Sequence, residues 1–277
     1  MTDEDALATT DDGSDATLGD GSDATLGDGS DVTLGDGGPA EPERPVTDDA
    51  PRDDPLAEEP RVVRVTDDES LWDGLLEVGG EIVARGGLVV VPTDTVYGIG
   101  CDPFNASAVD TLFRAKGRGR DLPLPVLVHG WRQAVGLVDE VTEQAKALIA
   151  AWWPGPLSIV LREAAGIGWD LGTSRGTVMV RMPKQTFTLA LIQRTGPLAV
   201  SSANRSGLPT PDAMPGIVEQ LGAEVGVFFD AGPAGGPTST IVDLTGPLPR
   251  LLRRGAIPDE EVQRVLDEPL VDATRSR

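Results

Sequence analysis

The chain has 277 residues, of which 39% are hydrophobic, and this is enough apolar material for one sizeable core. Its formal net charge is −22, but 19 of its 45 acidic residues fall within the first 60 positions, where only two arginines oppose them. The single cysteine and the single histidine exclude an internal disulfide, a cysteine cluster for zinc and a set of histidine metal ligands.

Residues 1–60 are predicted to form a disordered acidic tail. They contain three octapeptide repeats, GSDATLGD at 13–20 and 21–28 and GSDVTLGD at 29–36, followed by a stretch rich in Pro, Glu and Asp. Such short polar units bury too little apolar surface to offset the entropy of the chain. Because neither a secretory signal nor an apolar run of about 18 residues is recognisable, we expect a cytoplasmic protein without a membrane span.

From Arg61 onward the sequence alternates between strand and helix patterns. Apolar runs bounded by turn residues predict strands over 61–65, 87–93, 124–129, 157–161, 177–182, 197–202, 226–230, 239–244 and 249–254. Helical periodicity predicts helices over 70–85, 105–115, 142–152, 185–194, 214–221 and 258–266, with Asn105 as an N-cap and Gly86-Gly87 as a helix stop.

This alternation is less regular than that of a doubly wound fold. We therefore predict an α/β fold with a mixed twisted sheet flanked by helices, forming a single catalytic domain over residues 61–267. Residues 268–277 are predicted to be a short C-terminal tail. Cys101, following an apolar stretch, is expected to be a structural, partly buried thiol.

Four cationic side chains fall within seven positions of a glycine-rich turn: Arg114, Lys116, Arg118 and Arg120. A solvated surface is one interpretation of this cluster. The other is a polyphosphate site, because a lysine point charge beside the planar fork of an arginine suits phosphate oxygens. The two commonest phosphate cradles are absent: the sequence has no G-x-x-x-x-G-K-[ST], and the GIG of 98–100 runs into Pro103.

Two hydroxyl-rich stretches follow predicted strands. VPTDTVYGIG at 91–100 contains Thr95 and Tyr97, and PLAVSSANRSG at 197–207 contains Ser202 and Asn204. Either could be an ordinary turn with self-capping hydroxyls. Because ligands of open α/β sheets gather at strand ends, both stretches together with the cationic turn predict a ligand site. A serine hydrolase is not expected, since no G-x-S-x-G elbow presents a serine.

Seven stretches, taken in order, resemble the YrdC-like family of threonylcarbamoyl-adenylate synthases. They span about Glu69 to Ile257 and read PTDTVYGIGCD, the KGR of 116–118 followed by PL and VLVH, WWPGPLSIVL, TVMVRMP, SSANRSG, STIVDLT and LLRRGAI. Any one of them is a weak signal, whereas seven in the family's order make a strong one.

The resemblance implies an enzyme that makes threonylcarbamoyl-AMP and pyrophosphate from L-threonine, bicarbonate and ATP, with Mg²⁺ accompanying ATP and no dedicated metal site. The product would pass to a threonylcarbamoyltransferase complex that modifies tRNA. By the family pattern, a concave basic cleft binds ATP through Lys116, Arg118, Ser202, Asn204 and Arg254, with Lys116 and Arg118 as the catalytic residues. The residues assigned to the amino-acid substrate are Thr95, Tyr97, His129, Arg181 and Ser239.

The sequence departs from the family pattern in two places. Leu122 stands where many members carry Lys or Asn, so that one polar contact is lost or taken over by Arg120. The chain ends about 20 residues after Ile257, as in a short form without the additional C-terminal domain.

Two other functions stay open at this point. One is a YrdC-like module with weak RNA binding, against which stand the negative balance of the domain and the scarcity of aromatic residues for base stacking. The other is carbamoyl transfer to another acceptor.

Overall fold

Eleven short strands form one mixed sheet in the part of the chain that the computed structural model describes, residues 60–274. They are β1 (Val62–Arg64), β2 (Val89–Val91), β3 (Gly98–Cys101), β4 (Val126–Leu127), β5 (Leu157–Arg162), β6 (Thr177–Arg181), β7 (Leu198–Ser202), β8 (Val227–Asp230), β9 (Thr240–Asp243), β10 (Arg250–Arg253) and β11 (Val271–Asp272). Their order across the sheet is β1-β8-β2-β3-β7-β4-β6-β5-β9-β10-β11. Parallel pairs such as β5–β9 and antiparallel pairs such as β5–β6 both occur, so the predicted mixed sheet is confirmed.

Seven α-helices flank this sheet within the described range. They are α1 (Trp72–Ala84), α2 (Ala106–Lys116), α3 (Trp131–Val135), α4 (Glu143–Trp152), α5 (Thr186–Thr195), α6 (Met214–Leu221) and α7 (Asp259–Val265). Helix α2 begins where the side chain of Asn105 accepts a hydrogen bond from the Ala108 amide. Helix α1 is followed by Gly86 at φ +80°, which confirms the predicted glycine stop.

The two faces of the sheet are covered to different extents. Helices α2, α4, α6 and α7 pack their apolar side chains on one face and build the larger core. On the other face, Trp72 of α1 and Phe187 of α5 pack edge to face at 5.4 Å over Phe229 and the neighbouring strands. The part of this second face that β6, β5, β9 and β10 carry borders a cavity instead.

Strand β3 is absent from the sequence prediction because Gly98 and Gly100 weaken its strand pattern. The glycines are needed there, since a Cβ atom at Gly98 would lie 2.5 Å from a methyl group of Val200 on β7. Helix α3 and strand β11 also escaped the prediction.

The C-terminal boundary differs from the prediction as well. Strand β11 pairs in parallel with β10, and it lies inside the segment 268–277 that is predicted as a tail. The sheet therefore continues to Asp272. Residues 1–59 and 275–277, with the predicted acidic repeats, lie outside the described residues.

Cys101 is fully buried at the end of β3, in agreement with a structural thiol. Burial is the main reason why the pKa of its thiol rises to about 12. None of the helices between residues 60 and 274 combines the length and apolar character needed to cross a membrane.

Candidate active site

A cavity of about 760 Å³ lies on the second face of the sheet. The strands that α1 and α5 leave uncovered, β6, β5, β9 and β10, line it. Its floor follows from the alternation of side chains along a strand. Ser158 and Val160 of β5 face the cavity, whereas Ile159 between them packs in the larger core. The same alternation adds Thr177, Met179 and Arg181 of β6, Ile241 of β9 and Leu252 of β10. This volume is in the range of small-molecule sites.

Loops at the strand ends complete the cavity wall. They contribute the lining residues 93, 95–97, 121–125, 173–175 and 238–239, and the end of β7 adds 200–202. The charged side chains among the described lining residues are Arg118, Arg175, Arg181, Arg253 and Asp121. The cavity thus combines several guanidinium groups with hydroxyl groups and a single carboxylate.

Arg181 anchors the deepest part of this site. Its three nitrogens donate to the carbonyl oxygen of Gly155 (3.0 Å), to Thr95 Oγ1 (2.9 Å) and to Asp94 Oδ1 (2.8 Å). Burial lowers the pKa of the guanidinium, and the charge of Asp94 opposes this effect. Asp94 also accepts a hydrogen bond from the Lys184 amide, so it joins the loop after β2 to the end of β6.

Ser158, Ser239 and Arg253 form a second polar group in the cavity. The two serine hydroxyl oxygens lie 2.8 Å apart, and Arg253 donates to Ser239 Oγ (2.8 Å) and to the Ser239 carbonyl oxygen (3.0 Å). The Arg253 guanidinium can only donate, so it accepts neither of the two serine hydroxyl hydrogens. One of these hydrogens forms the hydrogen bond between the two serines. The other can serve an acceptor atom of a ligand.

Lys116 does not line the cavity. Its side chain is 2% exposed, and Nζ donates to the carbonyl oxygens of Ser202 (2.5 Å) and Asn204 (2.6 Å), with Asn204 Oδ1 at 3.4 Å. These three acceptors match the three hydrogens of an ammonium group. Burial, followed by the charge of Arg118, lowers the lysine pKa to about 8. The last residue of α2 therefore holds the turn that follows β7.

Ser201 and Ser202, at the end of β7, line the cavity, and Asn204 in the turn that follows bonds to Ser202. Arg118 lines the cavity and donates to Ser201 Oγ (3.0 Å) and to the Leu122 carbonyl oxygen (3.1 Å). Ser202 Oγ donates to Asn204 Oδ1 (2.5 Å), and the amide nitrogen of Asn204 donates to the Leu208 carbonyl oxygen (2.7 Å). The predicted residues of this stretch are thus brought together with Arg118.

Tyr97 lines the cavity, but its hydroxyl group is bonded to the backbone of a neighbouring segment. The side chain is fully buried, and the phenol donates to the Gly232 carbonyl oxygen (2.6 Å) and accepts from the Ala231 amide (3.0 Å). Burial raises the pKa of this phenol. The hydroxyl of Tyr97 therefore fastens the segment after β8, and the ring borders the cavity.

Comparison with known proteins supplies the family. A family model of Sua5, YciO and YrdC proteins, described as "Telomere recombination", matches residues 81–255, which is more than half of the chain. The chain belongs to the Sua5/YciO/YrdC family. A protein of Mycobacterium tuberculosis (strain CDC 1551 / Oshkosh), named provisionally as a threonylcarbamoyl-AMP synthase, is 50% identical over 201 residues, covering 72% of this chain and 92% of that protein.

Two further members of the Sua5/YciO/YrdC family come from Pyrococcus abyssi. A protein named threonylcarbamoyl-AMP synthase is 35% identical over 202 residues, covering 72% of this chain and 59% of that protein. The crystal structure of P. abyssi Sua5 complexed with L-threonine superposes with a TM-score of 0.70 at 34% identity, covering 76% of this chain and 62% of that chain. This similarity confirms the predicted YrdC-like fold.

Two residues assigned through the YrdC-like resemblance lie outside the cavity. His129 is exposed and borders a separate surface groove with Trp72 and Thr186, because β4 ends two residues earlier. Arg254 forms ion pairs with Asp259 (2.8 Å) and Asp272 (3.0 Å). Neither side chain is placed to contact a ligand in the cavity.

Arg253 lines the cavity, whereas the neighbouring Arg254, which the family pattern assigns to ATP, does not. Strict alternation from Leu251, which is a core residue, would place 252 and 254 on the cavity side. The pairing of β9 with β10 shifts register between Leu251 and Arg253, and both Leu252 and Arg253 line the cavity. The adjacent arginines in LLRRGAI were the only sequence signal, and the irregular pairing is not visible in it.

The four cations of the predicted cluster separate in the structure. Arg120 forms ion pairs with Asp110 and Asp170 (2.5 Å each) and lies over the Phe113 ring, so it does not replace the polar side chain missing at Leu122. Arg114 is exposed and donates to Thr111 Oγ1. Arg118 is the member of the cluster that reaches the cavity.

Proposed function

We propose that this protein is an L-threonylcarbamoyladenylate synthase, which converts L-threonine, bicarbonate and ATP into threonylcarbamoyl-AMP, pyrophosphate and water. The observation that carries the proposal is the chemistry of the cavity, in which guanidinium and hydroxyl groups outnumber the one carboxylate. The names of the relatives at 50% and 35% identity support the same reaction.

The reaction itself explains this choice of side chains. Condensation of the threonine amine with bicarbonate gives a carbamate, whose anionic oxygen attacks the α-phosphorus of ATP. A P–O bond forms there, and the bond to the oxygen bridging the α- and β-phosphates breaks, so pyrophosphate leaves. The nucleophile needs no base, and the site must mainly align two anions and neutralise their charge. Arginines and hydroxyl groups supply both requirements.

We assign the residues by their surroundings. Arg181 with Thr95 and Ser239 would bind the amino acid or its carbamate, because all three are buried polar residues that line the cavity. Arg118, from the segment after α2, and Ser202, at the end of β7, would bind the nucleotide. Arg253 would act with them in place of Arg254.

Lys116 and Asn204 would contribute to ATP binding indirectly. The ammonium group of Lys116 already has three acceptors in the turn that carries Ser202, and Asn204 bonds within the same turn. Both residues would keep Ser202 in position. The proposed site would correspond to the predicted basic cleft, since the arginines that line it come from four different segments.

Mg²⁺ would enter as a complex with ATP. Asp121 is the one carboxylate among the described lining residues, so phosphate oxygens and water would supply most of the metal's ligands. The labile adenylate would pass to a tRNA-modifying threonylcarbamoyltransferase complex in the cytoplasm. These last assignments stay predictions.

The test incubates the protein with Mg·ATP, bicarbonate and L-threonine, omits each in turn, and measures pyrophosphate and the adenylate by mass spectrometry. We expect both products to require all three substrates and to fall about a hundredfold in Arg118→Ala, because a charge-stabilising donor is lost. Arg85→Ala, on the exposed end of α1, is the control. ATP binding without products would favour another carbamoyl acceptor, and RNA binding with steep salt dependence would favour the RNA-binding alternative.

A further inference from the structure

Arg175 differs from the other arginines that line the cavity. Arg118 bonds to Ser201, Arg181 to Asp94 and Arg253 to Ser239. For Arg175, the structure records no hydrogen bond or ion pair with any residue between 60 and 274, and its side chain is exposed at the cavity rim. All five N–H donors of this guanidinium are therefore available to a ligand.

The backbone at Arg175 is unusual for an arginine. Its φ is +55°, and it is the one non-glycine residue with positive φ in the described part of the chain. Gly176 follows at φ +76°, and the Thr177 amide donates to the Ser174 carbonyl oxygen (3.2 Å), which closes a four-residue turn. Positive φ at both central positions is the pattern of a type I′ turn, which favours Asn, Asp or Gly. This chain has an arginine at a position where those residues would be less strained.

The rest of the segment holds this turn at the rim. Thr177 Oγ1 donates to the Ser174 carbonyl oxygen (2.7 Å), and the Thr173 amide donates to the Arg120 carbonyl oxygen (2.7 Å). Gly172, at φ +101°, allows a close approach, since a Cβ atom there would lie 2.6 Å from the Arg120 carbonyl oxygen. Backbone contacts thus fix where the Arg175 side chain begins, and its guanidinium stays uncommitted.

We propose that Arg175 is a further ligand-binding residue of this cavity, whose guanidinium fork binds phosphate oxygens of the ATP triphosphate. The inference rests on the proposed function and extends it to a residue outside the stretches that carry the family resemblance. A guanidinium binds two phosphate oxygens at once, and the triphosphate carries the largest negative charge among the three substrates. The other lining arginines already spend donors on protein groups, so Arg175 adds donors that only the ligand would use.

The decisive comparison measures stability and binding in the same variants. Arg175→Asn places Asn-Gly in the turn, so we expect a higher melting temperature together with about tenfold weaker binding of Mg·ATP, which equals about 1.4 kcal/mol. Arg175→Lys keeps the charge without the fork and should lose part of the affinity. AMP, which lacks the β- and γ-phosphates, should bind equally to all variants. Binding is measured by titration calorimetry at low salt, with inorganic tripolyphosphate as a second probe.

Arg85→Ala removes one exposed positive charge outside the cavity and is the matched control. The proposal is overturned if this variant weakens Mg·ATP binding as much as Arg175→Asn does, if AMP binding falls in parallel, or if the wild type binds neither Mg·ATP nor tripolyphosphate. Failure of the proposed function gives a different result. A wild-type protein that binds Mg·ATP through Arg175 but releases no pyrophosphate with threonine and bicarbonate would reject the reaction and keep the role of Arg175.

Discussion

At the scale of single residues, the ion pair of Asp94 with Arg181 is expected to contribute to both stability and substrate binding. Their side chains are 16% and 8% exposed, so Asp94→Asn would leave a nearly buried guanidinium without its counter-charge. We expect the free energy of unfolding in urea to fall by about 2 kcal/mol and KM for L-threonine to rise.

The exposed pair of Asp110 with Arg120 provides the control for this prediction. Their side chains are 64% and 38% exposed, and Asp110→Asn should change the free energy of unfolding by less than about 1 kcal/mol. Equal losses in the two variants would contradict the role given to burial.

The lowered pKa of Lys116 predicts how the free energy of unfolding depends on pH. Its pKa of about 8 in the folded protein lies below the ordinary value of 10.5, so the unfolded chain binds more protons between these two values. The free energy of unfolding therefore gains a contribution that rises with pH, by about 2 kcal/mol from pH 8 to pH 10. Lys116→Met should remove this rise, whereas Lys146→Met, at an exposed helix position, should keep it. Parallel pH profiles in all three proteins would rule out the lowered pKa of Lys116.

At the scale of elements, the close packing of β3 against β7 requires that residue 98 has no side chain. A Cβ atom at Gly98 would meet Val200 Cγ1 at 2.5 Å, so Gly98→Ala is expected to lower the free energy of unfolding by about 2 kcal/mol. Val200→Ala removes the opposing methyl groups, and the double variant should therefore be more stable than the sum of the single changes predicts. A double-mutant cycle in urea measures this coupling. Strict additivity would show that the two strands move apart freely.

The same elements show how far the sequence alone predicts the fold. Strands such as β5 and helices such as α6 were predictable because their apolar residues are continuous or periodic and because Gly or Pro bounds them. Strand β3 was not predictable, because its glycines are required by close contact with β7, which is distant in the sequence. Arg253 was missed for a similar reason: the irregular pairing with β9 reverses which of two adjacent arginines faces the cavity.

At the scale of the whole molecule, the position of the cavity depends on how the helices divide between the two faces of the sheet. The sequence identifies α1 and α5 as helices, but it does not state that both pack at the same side of the second face. The sequence nevertheless grouped Thr95, Arg118 and Ser202, and all three line the cavity, because each lies at or beside the end of a recognisable element. His129 follows β4 by two residues and borders a different groove, and its predicted role stays a prediction.

The charge distribution of the whole chain leads to a prediction for residues 1–59. This segment is strongly acidic and arginines line the cavity, so competition with ATP and solubility are the two roles to distinguish. We expect solubility to be its role, and deletion of residues 1–59 should therefore leave KM for ATP unchanged at low salt. A lower KM after deletion, reversed by added salt, would establish competition.

Cys101 has a practical consequence for experiments on this protein. Thiolates are the species that react with maleimides and iodoacetamides, and a buried thiol with a pKa of about 12 offers almost none at neutral pH. The chain has no other cysteine. Thr173→Cys, at an exposed position of the cavity rim, would therefore accept a fluorophore at one defined place. Labelling of this variant should therefore carry little background from Cys101, so that ligand entry could be followed optically.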